Sequence, residues 1–167
     1  MNSGLQKLVD QGFMTEEQGL YIEEAVKSHS TIIVSGHKGW GILPLLATIG
    51  SMAKDYYTVR QVKGFECLGE PADYYVIANP KETNYKGLVV DALCLPEGNM
   101  LALKDPDHPY SIMKVLKEVC KRTDNASTVC EVLECAKIND EKKLSKITRM
   151  SVTPDGKVQK IDQMKIC

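Results

Sequence analysis

Apolar positions change period twice within the first third of the chain. Ile22 and Val26, with Tyr21 and Ala25, recur at helical spacing behind Thr15-Glu16-Glu17-Gln18. That tetrad is a capping box, in which the threonine hydroxyl takes an orphan amide and Gln18 reaches back to the cap. It predicts a helix running to about Lys27. Thr31-Ile32-Ile33-Val34 then shows no polar alternation and is rich in β-branched residues, as expected of a strand covered on both faces. Glycines punctuate residues 36–41, and residues 45–49 return to a helical pattern with Pro44 in the first turn, where a missing amide costs little.

The same reading predicts further strands over 56–62, 74–78 and 99–103. It predicts helices over 85–95, through Leu88, Val89, Ala92 and Leu93, and over 109–121, through Ile112, Met113, Leu116 and Val119. Helices alternating with short apolar strands imply an α/β fold with an open, mainly parallel sheet. The last forty residues differ. Runs of alternating character over 130–137, 144–152 and 157–164 are separated by Asn139-Asp140-Glu141 and Pro154-Asp155-Gly156, which are turn formers by mechanism. They predict an antiparallel β meander. Residues 64–72 have the composition of a longer loop. The expected organisation is a single domain over 1–167, with a helical lead-in at 1–28, an α/β core at 29–127 and the meander at 128–167.

A length of 167 residues allows one domain with a substantial core, and 43% hydrophobic with 26% charged residues excludes wholesale disorder or a fibrous repeat. No basic start leads into an apolar segment, and the longest apolar run, ILPLLATIG, is far too short to span a bilayer, so a cytoplasmic location is expected. The net charge of -1 divides unevenly, with +4 from residue 137 onward and -5 before it. The lysines of that last part are interleaved with acids along strand-like segments, which is the pattern of a solvated face and not of a nucleic-acid interface. The six cysteines form no CxxC pair, and Cys94 and Cys120 fall within apolar helical patterns. They are expected to be reduced thiols, with no metal site.

The chemistry concentrates in one loop. A P-loop has the form G-x-x-x-x-G-K-[ST] between a strand and a helix: glycine amides cradle the phosphates, the lysine reaches the β and γ phosphates, and the hydroxyl holds magnesium. Here the stretch is Gly36-His37-Lys38-Gly39-Trp40-Gly41-Ile42-Leu43. Both glycines stand at the required spacing, but Ile42 occupies the lysine position and Leu43 the hydroxyl position. Taken alone, the loop fits an ordinary tight turn as well as a phosphate cradle.

Three collinear segments extend the comparison. LQKLVDQGFMTEEQGLYIEEAVKSHSTIIVSGHKGWGILPLLATI resembles the type II and type IV secretion ATPases of pilus assembly and conjugation, where an "L-t-e-E" helix start and an "i-l-I-S-G" strand precede the P-loop. LVVDALCLPEGNMLAL is similar to the family's "LVRxALRMRPD" helix with its Walker B strand. VCEVLECAKINDEKKLSKITRMSVTPDGKVQKIDQM is similar to the closing meander that reads "v-x-E-I-t-e-v". The resemblance implies a RecA-like P-loop domain, descent from ATPases that form rings at the inner face of a membrane, and ATP as the inherited ligand. Departures accompany it. The acidic box would fall within 57–63, where TVRQVK offers no carboxylate. The Walker B glutamate would fall at Lys104-Asp105. RTDNAST lacks the histidine box, and the family's separate N-terminal domain has no counterpart in these residues.

Without the lysine and the hydroxyl, the charge that develops in phosphoryl transfer loses its stabilisation, so a non-hydrolysing domain is expected. The nucleotide- or anion-binding candidates are Gly36, His37, Lys38, Gly39, Trp40, Gly41, Ile42 and Leu43. Ile42 and Leu43 are expected to line the former phosphate pocket with apolar atoms, and Trp40 to pack over it. The ligand is ATP or a smaller phosphate-like anion, if any. Asp105 is the one catalytic candidate. In Asp105-Pro106-Asp107-His108-Pro109, the simpler reading makes Asp107 the cap of the following helix with Pro109 in its first turn. The leading function is a binding, regulatory or assembly component of a secretion or pilus system, partnered by copies of itself or by an intact secretion ATPase. Any contact with the membrane would be peripheral, made through those partners. The alternatives are a working ATPase that uses Lys38 and Asp105, and an unrelated α/β domain that binds a small anion or a protein.

Overall fold

The computed structural model describes residues 1–78, 84–95, 99–106, 110–123, 129–153 and 155–165. Two helices lead in, α1 (Ser3–Asp10) and α2 (Glu16–Lys27). The capping box of α2 is formed: the Gln18 amide donates to Thr15 Oγ1 at 3.1 Å, and the Thr15 amide donates to Gln18 Oε1 at 3.0 Å. Then follow β1 (Thr31–Ser35), α3 (Ile42–Ala53), β2 (Val59–Gln61), a 3-10 turn over Phe65–Gly69, and β3 (Tyr74–Ile77). The chain continues through α4 (Tyr85–Leu93), β4 (Asn99–Lys104), α5 (Ile112–Thr123), β5 (Val129–Ile138), β6 (Glu141–Val152) and β7 (Val158–Lys165).

The seven strands make one mixed sheet in the order β2-β3-β4-β1-β5-β6-β7. Pairing is parallel from β2 through to β5 and antiparallel from β5 to β7. The expected α/β class and closing meander are therefore present, with the meander continuous with the core sheet because β5 pairs with β1. Its first turn uses Asn139 and Asp140 at φ 51° and 63°, a left-handed conformation that these short polar side chains tolerate. The strand expected over 56–62 is shorter, since the Tyr56 and Tyr57 amides both close on the Ala53 carbonyl, at 3.1 and 2.9 Å, as the exit turn of α3.

Successive strand residues enter two separate cores. Ile32, Val34, Leu101, Leu103 and Leu133 pack under α1, α2 and α3, whereas Ile33, Met100, Ala102 and Val132 pack under α4 and α5. This two-sided burial is why β1 shows no polar alternation. Each fully buried aliphatic side chain there contributes about 1.5–3 kcal/mol. After β1 the chain leaves over the first face through α3, and after neighbouring β4 it leaves over the second face through α5. Parting connections of this kind open a crevice at the carboxyl ends of the strands, where open α/β sheets hold ligands.

Candidate functional site

The loop after β1 is built by its glycines. Gly36 has φ +155°, and a Cβ there would lie 3.0 Å from both the Cys135 carbonyl oxygen and Ile42 Cγ2. Its amide donates to the Lys104 carbonyl at 3.1 Å, extending the β1–β4 ladder past the strand. The Trp40 amide closes a turn on the His37 carbonyl at 3.2 Å, and the two rings lie 4.3 Å apart at 57°. Gly39 and Gly41 take φ +85° and +90°, and Gly41 is the residue from which α3 begins.

The structure separates the two residues expected to line a phosphate pocket together. Ile42 is 1% exposed within the first core, whereas Leu43 is 52% exposed on the surface. The positions that would carry lysine and hydroxyl thus face different environments. Pro44 can donate no amide to an anion at the start of α3. Lys38 and Gly39 are exposed at the turn, and Gly41 is buried. Trp40 is half-buried and packs against the first core.

Gly36, His37, Trp40 and Asp105 do come together. They border a cavity of about 480 Å³, together with Ser35, Lys104 and Glu134. Asp105 is 7% exposed at its wall. The carboxyl end of β4, from which Lys104 and Asp105 emerge, is braced by two phenols. The Leu103 amide donates to the Tyr85 hydroxyl at 3.1 Å, and the Tyr110 hydroxyl donates to the Leu103 carbonyl at 3.0 Å. The two rings stack with centroids 5.6 Å apart. Burial raises both phenols well above the ordinary tyrosine value, and the nearby Asp105 charge pushes the same way. The residues Asp107, His108 and Pro109, and with them the expected helix cap, lie outside the described residues.

A second cavity, of about 580 Å³, lies on the α5 face of the same crevice and shares Ser35, Lys104, Tyr110 and Glu134 with the first. Its rim adds Lys146 and Lys160 from the meander. Sequence reasoning missed Lys104, Ser35 and Glu134 as a group. The available signal was the switch from an apolar strand to Lys104-Asp105, but nothing along the chain showed that β4 and β5 flank β1. Among the described residues, no group of three or more His, Cys, Asp or Glu is placed to hold a metal, and no helix is long and apolar enough to cross a membrane. A scan against protein-family models finds no match for the chain, and a search of curated proteins finds none either.

Proposed function

We propose that the chain is a degenerate P-loop domain of the secretion-ATPase kind that does not hydrolyse ATP. In this reading it serves as a cytoplasmic binding, regulatory or assembly component of a secretion or pilus system, alongside copies of itself or an intact ATPase. The observation that carries the reading is the pairing of a glycine loop between a central buried strand and a helix with Ile42 buried where a P-loop lysine would stand. A strand, left-handed glycines and a helix supply the frame for phosphate binding. Ile42, Leu43 and Pro44 withhold the ammonium, the hydroxyl and one amide that phosphoryl transfer would use.

Three measurements on the intact protein test this. ATPase turnover should equal background with and without magnesium. Calorimetry should give no magnesium-dependent nucleotide heat. The fluorescence of Trp40, the sole tryptophan, should be insensitive to ATP, ADP and GTP up to about 1 mM, the range in which binding of about -4 kcal/mol becomes visible. The rival reading, an ATPase using Lys38 and Asp105, draws support from Asp105 sharing a cavity wall with His37 and Trp40. Robust turnover lost in both Lys38→Ala and Asp105→Asn would replace the first reading with the second.

A further inference from the structure

We propose that the cavity between α5 and the second face of the sheet binds a small organic phosphate whose carbon body carries hydroxyl groups. Its volume of about 580 Å³ lies within the ordinary range for ligand pockets. Its position is the carboxyl edge of a sheet from which the chain departs over opposite faces.

The strand register sets its chemistry. Lys104 stands opposite Ser35 across β4 and β1, Ser35 opposite Glu134 across β1 and β5, and Glu134 opposite Lys146 across β5 and β6. All four line this cavity. Strand spacing of about 4.8 Å separates the Lys104 and Glu134 backbones by roughly 10 Å, with the serine hydroxyl between them. Lys146 is already committed, its ammonium 3.3 Å from Asp162. Neither the Lys104 ammonium nor the Glu134 carboxylate makes an ion pair or a side-chain hydrogen bond among the described residues, and both are half-buried. Lys160, which makes no ion pair among the described residues, adds a second ammonium at the outer rim. Two ammonium groups against one carboxylate leave a positive surplus, and a partly desolvated lysine at the centre of a sheet is stabilised by an anion.

Glu134 selects among anions. An ionised carboxylate accepts hydrogen bonds and donates none, so it repels a bare phosphate and favours a ligand that presents hydroxyl donors there. Ile112, Met113, Val132 and Met150 supply apolar walls for the carbon body. A phosphate monoester carries about -1.5 to -2 charges at neutral pH, more than a single carboxylate, which suits the lysine surplus. In the proposed pose the phosphate sits on Lys104 and the Ser35 hydroxyl, and the sugar-like hydroxyls donate to Glu134. The site uses none of Ile42, Leu43 or Lys38, so it stands whether or not the glycine loop binds nucleotide.

Calorimetry on the full chain tests this with four probes: ribose 5-phosphate, ribose, gluconate and inorganic phosphate. Ribose 5-phosphate should bind saturably at or below about 1 mM, and the other three at least about tenfold more weakly. Lys104→Met should weaken ribose 5-phosphate about tenfold or more, while Lys104→Arg keeps it within about threefold, because the charge survives. Glu134→Gln should weaken ribose 5-phosphate yet strengthen inorganic phosphate, a crossed response that general destabilisation does not produce. Thermal melts of each variant establish that it is folded, and Ser35→Ala provides a milder variant should Lys104→Met unfold. Absence of saturable heat with ribose 5-phosphate at 10 mM, about ten times the weakest expected Kd, would overturn the proposal. So would affinity unchanged in folded Lys104→Met, and equal binding of gluconate would overturn the phosphate assignment.

Discussion

The Phe13 ring lies against Gly41 so closely that a Cβ on that glycine would fall 2.7 Å from Phe13 Cε2. Phe13 is held in place by the meander, its carbonyl accepting the Leu144 amide at 2.8 Å. The lead-in thus closes over the start of α3. Gly39 shares a left-handed φ with Gly41, but nothing lies within 4 Å of its would-be Cβ. Gly39→Ala should therefore cost only the left-handed strain, about 1–2 kcal/mol, whereas Gly41→Ala adds overpacking of a further 1–3 kcal/mol or so. Urea unfolding of both variants checks the difference, and adding Phe13→Leu to Gly41→Ala should recover part of the loss. Equal costs at the two glycines would remove Phe13 from the explanation.

Glu131 is 2% exposed, yet its carboxylate meets Arg149 Nε at 2.8 Å and accepts the Tyr21 hydroxyl at 2.9 Å. The arginine side chain is 47% exposed. Removing either partner should therefore have unequal effects. Arg149→Met strands a buried carboxylate and should cost about 3 kcal/mol or more, whereas Glu131→Gln leaves an arginine that water can solvate and should cost closer to 1 kcal/mol. Denaturant midpoints at fixed m-value decide the order.

Burial pushes the thiols of Cys130 and Cys135 up to about 12. The thiolate is the reacting species, so both should resist iodoacetamide at pH 8 while the protein is folded and react promptly in urea. Cys67 and Cys120 are half-buried and should label first. Peptide mapping by mass spectrometry reads each site, and early modification of Cys130 would contradict its place in the α5-side core.

Tyr21 is raised to about 12, first by burial and then by its hydrogen bond to Glu131. The fold favours the neutral phenol. Its contribution is therefore complete below the unfolded tyrosine value of about 10 and is lost as pH climbs through about 12. Stability should decline over that alkaline window, with Tyr74, Tyr85 and Tyr110 contributing in the same direction. Tyr21→Phe should decline less steeply between pH 9 and pH 11, a window chosen around the ordinary tyrosine value. Parallel slopes for the two proteins would refute the assignment to Tyr21.

What the sequence by itself determined is local. The Thr15–Gln18 capping box, the glycines that begin α3 and the Asn139-Asp140 turn follow from interactions within a few residues, the unalternating run marks β1 as a strand covered on both faces, and each appears where the pattern puts it. Tertiary structure decided which distant residues became neighbours. Periodicity marks a strand but not its place in a sheet, so the order β4-β1-β5 that joins Lys104, Ser35 and Glu134 was not legible. Nor was the divergence of Ile42 and Leu43, one buried and one exposed. Adjacent residues in a helix point about 100° apart, and only the packing of α3 on the sheet fixes which of them faces the core.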